Sequence, residues 1–159
     1  MKTFSTLLFL VIAFLPITAY SDPGNGLILR PHFGLGSIKP QGSDSRIIQH
    51  VGGRLLLRTK GGKRYGLELT RFSSREEDVF ISAGIVLEQR LFNWFNMSIG
   101  TIGYFDYQKT EHNPVGLTTN LGWEPDNHQT IVPFITYKSD FVFNEGIDSV
   151  NSISIGLSW

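Results

Sequence analysis

The chain of 159 residues contains no cysteine. It has no disulfide framework and no thiolate metal site, so an exported form must draw its stability from elsewhere. Its 14 basic residues balance its 14 acidic ones. That neutrality argues against a nucleic-acid partner, which needs a basic face. Past the leader there is no apolar run near the length a spanning helix requires. No segment of ten or more residues keeps a helical apolar period. The His-Glu-x-x-His, Gly-x-Ser-x-Gly and phosphate-loop patterns are all missing, and no cofactor or metal is expected.

What is present begins with a leader. Lys2 precedes the apolar run Leu7 to Leu15, Pro16 breaks that run, and Ala19 and Ser21 put small residues before Asp22. This is the pattern of a signal peptide over residues 1–21, cleaved to leave one domain over 22–159. The run is too short to cross about 30 Å of hydrocarbon as a helix.

Residues 22–159 alternate between apolar and polar with period two, the signature of strands with two unlike faces. Eight segments carry it: 27–38, 46–59, 63–72, 79–89, 94–107, 115–124, 130–139, and a last one after 151. One face holds residues such as Phe33, Leu55, Leu67, Ile85 and Leu121. The other holds Gly, Ser, Thr and Asn together with Arg30, His32, His50, Arg54, Glu68 and Glu88. The seventh segment alternates poorly, and Val132, Phe134, Thr136 and Lys138 are assigned to its outward face. Gly61-Gly62 between two lysines predicts a tight hairpin. Short turns are expected after the second, fourth and sixth strands. Longer polar loops are expected after the others, the longest over 140–151.

Period-two strands, short turns on one side and frequent aromatics predict an all-β fold: an eight-stranded antiparallel up-and-down transmembrane β-barrel. Its expected location is the outer membrane of a Gram-negative cell, after export through the periplasm. Trp94, Trp123 and Trp159 fall at the periplasmic rim as a membrane girdle. Tyr104, Phe105, Tyr107, Tyr137, Phe141 and Phe143 fall toward the outer rim. The final aromatic, Trp159, resembles the terminal-strand signal that the barrel-assembly machinery reads, so that machinery is an expected partner during biogenesis. Eight strands leave an interior that side chains can fill. The polar face therefore predicts a filled lumen network of Arg30, His32, His50, Arg54, Glu68 and Glu88, and not a diffusion pore. The rival fold is a soluble lipocalin-like barrel, with the same strand count and the two faces exchanged.

The C-terminal quarter adds a resemblance. Leu121 to Trp159 is similar to the end of the lipid A 3-O-deacylase (PagL-type) family of eight-stranded outer-membrane esterases. In that family the penultimate strand ends in His-x-Ser-Asn, and a stretch like Asn-Asp-Gly-Ile-Glu-Ser follows in the last loop. Here the strand end reads Thr136-Tyr137-Lys138-Ser139, with Thr136 at the histidine position and Lys138 at the serine position. The loop reads Asn144-Glu145-Gly146-Ile147-Asp148-Ser149, with Asp148 at the position of the family's acid. The resemblance implies the barrel and a lipid-facing surface. It does not carry the activity across, since a nucleophile without its base is weak. Ser139, Asp148 and His112 are the residues from which a displaced triad would be built. The expected function is thus a non-enzymatic barrel whose exposed loops contact lipopolysaccharide, other outer-membrane lipid or external partners. The alternative is a PagL-like lipid A acyl-ester hydrolase or a degenerate relative of one.

Overall fold

A computed structural model of the chain describes residues 26–59, 62–74, 79–92, 94–107, 113–125, 131–143 and 146–159. The leader, His112 and His128 lie outside the described residues. Eight strands follow in order: β1 (Gly26–Pro40), β2 (Arg46–Arg58), β3 (Lys63–Ser74), β4 (Val79–Phe92), β5 (Phe95–Phe105), β6 (Val115–Trp123), β7 (Val132–Val142) and β8 (Ile147–Ser158). Each pairs antiparallel with its neighbours in sequence, and β1 closes on β8 from His32↔Gly156 to Pro40↔Ile147. Closure removes the two unpaired edges that an open sheet would present. Among the described residues there is no helix long and apolar enough to cross a membrane.

The two faces of the wall are inverted relative to a soluble barrel. Leu67 is 59% exposed and Ile85 64%, and Leu55 and Leu121 also point outward. Glu68, between two outward leucines, is 2% exposed and Arg30 is 3% exposed. The charged side chains therefore occupy the axis and the aliphatic ones cover the exterior, the reverse of a lipocalin-like barrel.

The barrel has a near end, where β1 starts and β8 finishes, and a far end, where β1 meets β2. Gly62 closes the near-end hairpin between β2 and β3 at φ 77°, donating its N–H to the Thr59 carbonyl at 3.0 Å. Left-handed backbone of this kind favours glycine. A second glycine is set by space. A Cβ on Gly156 would meet the Pro31 carbonyl oxygen and lie 2.7 Å from the Phe134 ring. That ring fills the lumen only because β8 has no side chain there. Gly156→Val should overpack the lumen and cost about 1–3 kcal/mol, read as a lower denaturant midpoint of the refolded barrel.

Three expectations are corrected. The first concerns β7: Phe134, Thr136 and Lys138 face inward and are buried, while Ile135, Tyr137 and Phe141 face outward. Lys138 can turn inward because Glu68 and Asp140 receive its ammonium there. The second concerns the aromatics. Tyr104 and Tyr107 are buried inside the barrel, and only Phe105, Tyr137, Phe141 and Phe143 of the far-end group are exposed. The third concerns the loops. β7 runs on to Val142 and β8 begins at Ile147, so the connection is 143–146 and not 140–151. The near-end connections are 59–62, 93–94 and 124–131, and the far-end ones are 41–45, 75–78, 106–114 and 143–146. Length alone does not separate the two ends, because polar residues at strand ends still pair in the ladder.

Candidate functional site

The lumen holds the densest chemistry in the molecule. Arg30 on β1 reaches across to β4, where its Nη1 donates to both Glu88 oxygens at 2.7 and 2.9 Å. Its Nη2 donates to Glu124, and its Nε donates to Ser158 Oγ at 3.1 Å. Arg64 on β3 donates to the same two carboxylates, at 2.8 Å to Glu88 and 3.1 Å to Glu124. Asn96 Nδ2 completes the near-end group by donating to Glu124 at 2.7 Å. Burial alone would push the Glu124 carboxyl up; Arg30 and Arg64 outweigh it and hold that carboxyl down to about 2. Glu124 lies one residue beyond the end of β6, at the near rim.

The ladder continues along the axis. Arg54 donates through Nε to Glu68 at 2.7 Å and through Nη2 to Asn120 Oδ1 at 2.5 Å, and its Nη1 lies 3.9 Å from Glu88. Glu68 also receives Lys138, whose Nζ lies 3.2 Å from Asp140. Tyr104 donates its hydroxyl to Asp140 at 2.5 Å. The cations Arg30, Arg54, Arg64 and Lys138 thus balance the carboxylates Glu68, Glu88, Glu124 and Asp140 in one continuous network. Buried charges persist only when paired and hydrogen-bonded in this way.

Beyond the charges the far half of the lumen is apolar. Ile38, Ile48, Phe72, Phe80, Ile102, Tyr104, Tyr107, Val142, Ile147 and Val150 pack into one buried cluster. Phe72 stacks on Phe80 at 4.9 Å between centroids. His32 and His50 sit at the junction, their rings 5.8 Å apart and edge-on, with His50 also 5.6 Å from Phe72. His32 Nδ1 lies 3.4 Å from the Arg30 carbonyl oxygen, and its Nε2 lies 3.5 Å from Thr70 Oγ1. The space lined by Arg30, Arg54, Glu88, Asn96 and Asn120 is about 10 Å³, about the room of one water molecule. Among the described residues, no three His, Asp or Glu side chains are placed to hold a metal ion.

All six lumen residues singled out in the sequence, Arg30, His32, His50, Arg54, Glu68 and Glu88, are buried inside the barrel. The four charged ones share the ladder, and the histidines flank it. Sequence reasoning missed Arg64, Glu124, Lys138, Asp140 and Tyr104 as members. Lys138 and Asp140 stand two apart, and outward placement of Ile135, Tyr137 and Phe141 would have revealed them. Of the displaced triad, Ser139 and Asp148 each take a different partner. Ser139 Oγ donates to Asn151 Oδ1 at 2.8 Å, and Asp148 lies 3.7 Å from Lys39 Nζ. His112 is outside the described residues. Trp94, Trp123 and Trp159 all stand at the near end, with Trp94 and Trp123 exposed.

These features define a class: a closed eight-stranded barrel turned inside out, apolar around the circumference and filled with paired charges within. Among solved structures, the crystal structure of neisserial surface protein A (NspA) is similar, with a TM-score of 0.65 over 85% of this chain and 97% of that chain. Sequence identity is 10%, so the likeness is one of fold. No family model and no curated protein matches the chain.

Proposed function

We propose that this chain is an outer-membrane barrel that performs no chemistry. It is exported through the periplasm, inserted by the barrel-assembly machinery, and presents its far-end connections to lipopolysaccharide or to partners outside the cell. The observation that carries the reading is the inverted wall: aliphatic side chains 37–75% exposed around a charged axis. In water such an exterior is an aggregation hazard, whereas in hydrocarbon it is the required surface. The near end is assigned to the periplasm. Supporting this, it carries the tightest connection, 93–94, and the glycine turn at Gly62. Interface tryptophans fit the near rim, and Phe105, Phe141 and Phe143 fit the far one, while Tyr137 lies at the midpoint of β7.

The absence of catalysis is supported by the occupied groups. The Ser139 hydroxyl is spent on an amide oxygen and Asp148 faces a lysine. A nucleophile needs a base within hydrogen-bond reach. Two measurements test the proposal. On an unboiled gel of the membrane fraction the protein should migrate as a compact species that shifts on heating; recovery from the soluble fraction instead would refute the membrane assignment. Mass spectrometry of lipid A from expressing cells should show every acyl chain retained. Loss of a 3-O-linked chain would replace this reading with the esterase one.

A further inference from the structure

The exterior is not uniform, and the cross-strand register shows why. Moving across β3 to β6 at one level, the outward residues are Leu69↔Ala83↔Gly103↔Val115. Two small residues in the middle of that row leave a trough between Leu69 and Val115. Phe143 forms the far-end wall beside Val115, whose carbonyl accepts its backbone N–H at 2.9 Å. The next row toward the near end, Leu67↔Ile85↔Thr101↔Leu117, continues the floor. The result is an open apolar groove of about 650 Å³ on the outside of the wall.

Directly above this groove on β3, two residues beyond Leu69 on the same outward face, stands Arg71. It is exposed, its cross-strand neighbours Val51 and Ile81 are aliphatic, and no described carboxylate pairs with it. Lys39, another outward cation at this end, has Asp148. A guanidinium without a described carboxylate partner on a hydrocarbon-facing wall is favoured where it reaches the headgroup layer and finds an anion. Arg71 is three residues from the end of β3, within the reach of its own side chain to that layer.

We propose that this wall binds one lipid of the adjacent leaflet, an acyl chain lying in the Leu69–Val115 groove and an anionic phosphate headgroup held by Arg71. The size of the groove suits a hydrocarbon chain, and the guanidinium fork suits phosphate oxygens. The site is separate from the lumen ladder, and its occupant is selected by charge at the top and by shape below. The inference rests on the membrane reading above.

The test is native mass spectrometry of the full processed protein, purified from membranes in mild detergent and titrated with phosphatidylglycerol or phosphatidylcholine of identical acyl chains. The parent should retain phosphatidylglycerol at least fivefold more than phosphatidylcholine. Arg71→Gln should abolish that preference. Ala83→Phe, which fills the trough from outside without touching the lumen, should lower retention of both lipids about tenfold. Lys39→Gln should change neither. Equal retention of the two lipids by the parent, or unaltered retention by Arg71→Gln and Ala83→Phe, overturns the site. A heat-induced gel shift checks folding of each variant. If the parent itself lacks the shift, it is the membrane reading that has failed.

Discussion

Glu88→Gln should destabilise the folded barrel by about 3–5 kcal/mol, the range for removing one partner from a buried ion pair. Glu88 is 2% exposed and stands at the centre of the ladder. It accepts from Arg30 and Arg64 and lies 3.9 Å from Arg54. Glutamine keeps the shape and removes the charge, leaving three guanidiniums to share Glu68 and Glu124. The space there is about 10 Å³, room for about one water molecule and too little to hydrate three guanidiniums. Urea unfolding in lipid vesicles, followed by tryptophan fluorescence, measures the loss. A double change of Glu88 to Gln with Arg64 to Met should recover part of it, since the neutral pair is close to an apolar replacement. An unchanged midpoint for Glu88→Gln would mean that the carboxylate is not ion-paired inside the barrel.

Ile99→Arg should cost about 2–4 kcal/mol in vesicles, the penalty for arginine on the lipid face near the bilayer midplane. Ile99 is 51% exposed in the middle of β5, between Leu87 and Thr119 on the neighbouring strands. In a water-soluble barrel the same change at an exposed position would cost no more than about 0.5 kcal/mol. One substitution thus separates the two environments for a single set of coordinates. Refolding yield into vesicles, scored by the heat-induced gel shift, is the measurement. A variant that inserts and unfolds like the parent would sink the membrane assignment.

Most of the strand layout was legible because alternation over a half-buried strand is local. Arg30, Arg54, Glu68 and Glu88 could be placed inward since each is flanked by outward aliphatic residues in its own strand. β7 was misread because both of its faces carry apolar and polar residues: Phe134 alternates with Ile135, and Lys138 with Tyr137. Nothing within 132–142 says that Lys138 is the buried one. Its partners are Glu68 on β3 and Asp140 two residues along β7, and they outweigh the cost of desolvating the ammonium. Tyr104 and Tyr107 were misplaced for a related reason. Amphipathic rings suit a membrane interface, yet here they pack with Phe80 inside, and Tyr104 finds Asp140.

The sequence by itself determined the number of strands, the inward placement of four ladder charges and the aliphatic character of the outer wall, because these follow from period two and from residue chemistry along one strand. Only the tertiary structure decided which charges pair, that the far half of the lumen is apolar, and that Ala83 and Gly103 open a groove under Arg71. Each of those depends on register between strands. Register is set by closure of the whole ring, and no single segment records it.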